Sequence, residues 1–156
     1  MIARWQQGRA GVDDLIARGH IERVRADRAL ADLMLQEAVR HLASSRLTAD
    51  TDPTGSFAMA YDSCRKALAA VLENQGLRAT TKGGHKAVEE AVRAQLVPPK
   101  KAELDGFGWM RVLRNNTQYP SLEKPLADLD DTLLAQGFAE DIIVMARTVL
   151  DHMPNY

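Results

Sequence analysis

The stretch Asp52-Pro-Thr-Gly-Ser-Phe-Ala-Met-Ala-Tyr-Asp-Ser-Cys-Arg-Lys-Ala-Leu-Ala-Ala-Val-Leu-Glu-Asn-Gln-Gly76 decides the fold. Asp52 suits an N-cap, and Pro53 fits the first helical position, where its missing N–H costs nothing. Gly76 suits a left-handed stop at the other end. Between them Phe57, Tyr61, Cys64, Leu68, Val71, Leu72 and Gln75 recur at steps of three and four, tracing one buried face of a long helix.

Working outward, the same period continues on both sides. Upstream, the residues from Ile21 to Ser45 predict a long helix with Ala31, Met34, Leu35, Ala38 and Leu42 inward. Glu22, Arg25, Asp32, Glu37 and Arg40 fall on its solvated sides. A short helix from Val12 to Arg18, closed by Gly19, belongs to an extension over residues 1–20. Downstream, Thr80-Thr-Lys-Gly-Gly84 is a turn, and a third helix is expected from His85 to Leu96, with Val88, Ala91, Val92 and Leu96 inward. Pro98-Pro99 ends it. A fourth is expected from Ala102 to Asn115, using Leu104 and Phe107. Pro120 and Pro125 bracket a break before a last helix, Pro125 to His152, with Leu126, Leu129, Leu133, Ile143, Ala146 and Leu150 on one side and Gly137 as a kink or division.

No segment alternates with period two for long enough to argue a strand. The expectation is therefore all-α: one domain over residues 1–156, with an antiparallel up-and-down bundle of four main helices plus short extra helices over residues 21–152.

Bulk properties narrow the function classes. The chain is 46% apolar and 26% charged with net charge −1, so no global field draws it to nucleic acid or to an anionic membrane. A local basic patch is still allowed. The single cysteine rules out an internal disulfide, and four scattered histidines make a closed zinc site unpromising. The amino-terminal Met1-Ile-Ala-Arg-Trp-Gln-Gln has no apolar core of a secretory signal, and the longest apolar run, Ile142 to Ala146, is too short to span a bilayer. The expected location is the cytoplasm. No cofactor motif stands out: Lys82-Gly83-Gly84 lacks phosphate-loop spacing and reads as a turn, and Cys64 reads as a buried structural thiol.

The segment Trp109-Met-Arg-Val-Leu-Arg-Asn-Asn-Thr-Gln-Tyr-Pro120 behaves differently. Arg111 and Arg114 are three apart and share a helix face. Asn115, Asn116, Thr117 and Gln118 form a polar cluster where the helix is expected to end, and Tyr119 follows. Guanidinium forks beside amides suit a phosphate. The competing reading is a helix C-terminus, with Arg answering the dipole and Asn capping.

At this point the sequence resembles the HEPN family, named for higher eukaryotic and prokaryotic nucleotide-binding proteins. The resemblance runs from about Ala26 to Leu150. It rests on the helix Ala60-Tyr-Asp-Ser-Cys-Arg-Lys-Ala-Leu-Ala-Ala with its Gly76-Leu stop, on Lys82-Gly-Gly-His-Lys-Ala-Val88, and on the Arg-led polar segment, similar to the family's Arg-x4–6-His motif. It implies a symmetric homodimer, RNA as ligand, and metal-independent cleavage in active members. Such an endoribonuclease would be the toxin of a toxin–antitoxin or phage-defence pair, with a nucleotidyltransferase-type antitoxin as partner and no cofactor.

Carried over, Arg114 holds the phosphate and Asn115 is the orienting polar residue. Tyr119 stands where the family has the histidine, and Arg111 and Asn116 supply further phosphate or RNA contacts. Tyrosine has an ordinary pKa of about 10 and stays protonated at neutral pH, so it replaces a histidine base poorly. A non-catalytic binding or dimerisation module is the alternative, and a plain dimeric scaffold a third. His85 is a candidate for recruitment in space to the missing histidine's place, but the preferred reading puts it at the start of its helix. Val39, Leu47, Leu77, Val97 and Trp109 exceed the needs of four helices and suggest a partner surface.

Overall fold

The computed structural model describes residues 5–156; Met1 to Arg4, and with them most of the amino-terminal stretch read above, lie outside the described residues. Six helices and a two-stranded ribbon follow in the order α1 (Arg9–Ala17), β1 (Ile21–Arg23), α2 (Arg28–Thr48), α3 (Pro53–Gln75), β2 (Leu77–Ala79), α4 (Gly84–Leu96), α5 (Lys101–Gln118) and α6 (Leu129–Leu150). None of these helices is long and apolar enough to cross a membrane.

α3 is the centre of the molecule, and its ends form as the sequence dictates. The Asp52 carboxylate accepts from the Gly55 N–H at 3.0 Å, and Pro53 opens the helix. Gly76 stops it at φ +87°, and a Cβ there would lie 2.9 Å from the Val24 carbonyl oxygen, so both conformation and space require glycine. All seven residues of the expected stripe are buried. α2 and α6 make the widest contacts with α3, and α4 and α5 pack on it as well.

Four expectations change. The helix read from Ile21 starts at Arg28, because Asp27 caps it through the Leu30 N–H at 2.9 Å. Ile21–Arg23 instead pairs antiparallel with Leu77–Ala79, in the register Ile21 with Ala79 and Arg23 with Leu77. Three residues are too few to show alternation in a sequence. Leu77, read as surplus, is fully buried by this ribbon. α5 continues through Asn115–Gln118, and Tyr119 rather than an asparagine takes its C-cap.

The last change concerns α6. It begins at an Asp128/Asp131 capping box, three residues later than Pro125 suggested, and runs unbroken through Gly137. Leu126, Leu129 and Leu133 are exposed. The buried face is Thr132, Ala135, Gln136, Ala139, Ile142, Ile143 and onward, rotated by about 100° from the leucine stripe. Its polar members are satisfied: the Thr132 hydroxyl donates to the Pro53 carbonyl at 2.8 Å, and Gln136 Nε2 donates to Ser45 Oγ at 3.0 Å. Ile143, Ala146 and Leu150 are buried as expected.

Candidate functional site

Three helices bring one polar cluster together at the centre of α3. Tyr61 faces the core and is 2% exposed. Phe107 of α5 stacks on its ring at 5.3 Å between centroids, and the Arg114 guanidinium lies 5.6 Å from the same ring centroid. That distance fits a cation–π contact. The Tyr61 hydroxyl lies 3.0 Å from His85 Nδ1, at the start of α4. Arg114, Tyr61 and His85 are therefore one contiguous unit.

The direction of the Tyr61–His85 bond follows from what each group lacks. Burial pushes the phenol up to about 12, although Arg114 and Arg65 pull the other way, so the hydroxyl keeps its proton. Burial, then Arg65 and Arg114, hold the His85 imidazole below its ordinary pKa. It is neutral at pH 7. No other acceptor reaches the phenol among the described residues, and a buried O–H without one would lose a hydrogen bond. Tyr61 therefore donates to Nδ1, and the ring's own proton sits on Nε2 as a donor.

The two arginines of the polar segment part company. Arg111 donates to Glu89 Oε2 at 2.7 Å, a carboxylate that is itself mostly buried. Arg114 makes no ion pair among the described residues and rests on Tyr61 instead. The expected double guanidinium fork thus reduces to one available cation. Nearby Arg65 is held by Asp62 at 2.6 Å, and Asp62 also faces His41 Nδ1 at 2.8 Å. Burial would raise the Asp62 carboxyl, but the Arg65 bond and charge win and hold it low.

Tyr119 is 74% exposed at the end of α5. Its backbone, at φ −123° and ψ 76°, has left the helix that carries Arg114. Asn115 is exposed and Asn116 half-buried on the same last turn; the Asn115 carbonyl accepts from the Tyr119 N–H at 3.1 Å. Cys64, read as structural, is fully buried against Met110, and burial pushes its thiol pKa up.

Two concavities flank this cluster along α3. One, of about 260 Å³, is bordered by Arg114, Thr117, Gln118, Thr54 and the capping Asp52. The other, of about 420 Å³, opens between α2, α3, β2 and α4, with Arg65 and His85 at its edge. Among the described residues no group of three or more His, Cys, Asp or Glu side chains could hold a metal ion.

Sequence reasoning singled out Arg114, gave the recruitment of His85 only as the lesser alternative, and missed Tyr61 as the residue that joins them. The one available signal was a tyrosine within an apolar stripe, whose hydroxyl needs a partner when buried; nothing local says which. No family model, curated protein or solved structure matches the chain.

Proposed function

We propose that the chain is a HEPN-like module, an up-and-down antiparallel bundle, that binds single-stranded RNA on the face shared by α3, α4 and α5. The observation that carries this is Arg114. It is a guanidinium that makes no ion pair among the described residues, set over a buried tyrosine ring at the edge of a hollow bordered by Thr54, Thr117, Gln118 and the capping Asp52. Arginine offers phosphate a planar, bidentate donor set, and a partner carboxylate would have to be displaced first. Asn115 and Asn116 stand one and two residues further on, within reach of a strand that passes Arg114. Arg111, neutralised by Glu89, supports the helix more than it supports the ligand.

Binding is favoured over cleavage for two reasons. Tyr119 is exposed to solvent past the end of α5, and a phenol is a weak base at pH 7. His85, the nearest imidazole, offers an N–H donor rather than a free lone pair. Dimerisation belongs to the same reading, and the exposed Leu122, Leu126, Leu129 and Leu133 support a partner-covered surface.

The test is incubation of the purified protein with mixed single-stranded RNA in EDTA, beside an Arg114→Ala variant. The expected result is retention of intact RNA by the parent and loss of retention in the variant. Arg114-dependent cleavage would replace the binding module with a metal-independent endoribonuclease, as in a toxin–antitoxin pair. Neither binding nor cleavage would leave only a scaffold.

A further inference from the structure

The larger concavity has walls unlike those of the Arg114 hollow. Half-buried Leu30 and Met34 of α2 and Ala69 of α3 form its apolar walls, over the buried Leu72, Leu77 and Val88. Arg65, His85 and the exposed Thr81 also border it, as does the Arg78–Glu73 ion pair at 2.8 Å. An apolar slot of about 420 Å³ with a few convergent polar groups lies within the size range of small-molecule sites. Ala69 keeps it open, since a larger side chain at that half-buried position would project into the space.

The slot is joined to the Arg114 hollow through the side chains already described. His85 at its mouth holds Tyr61, and Tyr61 carries Arg114. On α3, Gly55 borders one concavity and Ala69 the other. The Arg114 guanidinium lies 5.6 Å from the Tyr61 ring centroid and His85 Nδ1 lies 3.0 Å from the Tyr61 hydroxyl, so the width of one tyrosine separates the cation from the His85 of the slot. A stacked strand advances about 3.4 Å per nucleotide and an unstacked one further, so about two to three nucleotides of a single strand cover that gap.

We infer that the cavity between α2, α3, β2 and α4 is a nucleobase subsite, which takes an unstacked base from a single-stranded RNA whose backbone phosphate is held at Arg114. The inference rests on the RNA reading above. Unstacked bases are the part of single-stranded RNA that proteins bury against apolar, aromatic or guanidinium surfaces and fix by hydrogen bonds at their edges. Here the apolar lining receives the base plane. The Arg65 guanidinium stands at the mouth as a stacking surface, and His85 Nε2–H and the Thr81 hydroxyl stand ready for base carbonyls. Tyr61 acts only through His85, by keeping the ring's proton on Nε2.

The test measures binding of a labelled single-stranded RNA hexanucleotide and of a labelled abasic strand with the same number of phosphates. The proteins are the parent, Ala69→Phe, which fills the slot, and Thr81→Glu, which places a negative charge at its mouth on an exposed turn. Thermal melting checks that each is folded, and the surface variant decides the matter if the cavity variant is not. The parent should bind the hexanucleotide on the order of tenfold more tightly than the abasic strand, the scale of one base contact. Both folded variants should lose that advantage. The subsite is wrong if the parent shows no advantage for the base-bearing strand or if the folded variants keep it. An Arg114→Ala variant distinguishes the two failures. If it weakens hexanucleotide binding while the slot variants do not, RNA binding stands without this subsite. If it binds as the parent does, the RNA reading itself falls.

Discussion

Tyr61 does three things at once: it fills the core, carries the Arg114 cation and fixes the His85 tautomer. Tyr61→Phe keeps the first role and removes the last. It should cost about 1 kcal/mol of stability, the scale of one buried hydrogen bond. It should also move His85 from a single Nε2–H form to a mixture, visible in the ¹⁵N shifts of its ring. An unchanged ring spectrum would contradict the proposed bond direction. His85 also sets a pH dependence. Its folded pKa is depressed, by burial first and then by Arg65, Arg114 and Arg111, with Asp62 opposing. The unfolded chain therefore binds the proton more readily, and this contribution to stability is present above about pH 6.5 and lost as the pH falls below it. His85→Asn should flatten that part of the stability profile, and denaturant melts between pH 5 and pH 8 would read it. At this scale the sequence exposed Arg114, because a polar run beside two arginines is a local signal. It hid the Tyr61–His85 pair, which is separated by 24 residues and has no local spacing to betray it.

Helices α3 and α6 show what local chemistry encodes and what it leaves out. α3 was legible from end to end because its cap, proline, stripe and glycine stop lie within its own residues. α6 was legible in type but not in orientation. Its leucines drew the stripe to Leu129 and Leu133, whereas its true face includes Thr132 and Gln136, whose partners sit on Pro53, Ser45 and Ser56 of other segments. A polar residue reads as exposed until its distant partner is known. Two glycines make the packing testable. A Cβ on Gly106 would lie 2.3 Å from a ring carbon of Phe138, so Gly106→Ala should separate α5 from α6 and cost about 1–3 kcal/mol. Gly137 has open space and sits mid-helix, so Gly137→Ala should stabilise by about 0.5–1 kcal/mol. Chemical denaturation of both variants checks the pair; equal effects would mean that the α5–α6 contact is not as close as described.

For the whole molecule, a net charge of −1 offers no general attraction for RNA, so any affinity has to come from a local arrangement. The proposed arrangement centres on Arg114, which makes no ion pair among the described residues; Arg65, paired with Asp62, and the neutral His85 add contacts and no net charge. The opposite resource is apolar: Leu133 is 52% exposed and neighbours other exposed leucines. If these form the proposed homodimer contact, sedimentation equilibrium should give a dimer for the parent and a monomer for Leu133→Glu with unchanged helical circular dichroism; a monomeric parent would remove that contact. RNA binding is the claim on which the rest depends, and its electrostatic signature is specific. Affinity for single-stranded RNA should be measured against salt concentration for the parent and for Arg114→Ala. Loss of one phosphate contact predicts weaker binding across sequences and a log–log salt slope shallower by about 0.7, the single-strand value per phosphate. The same affinity and the same slope in both proteins would contradict the account.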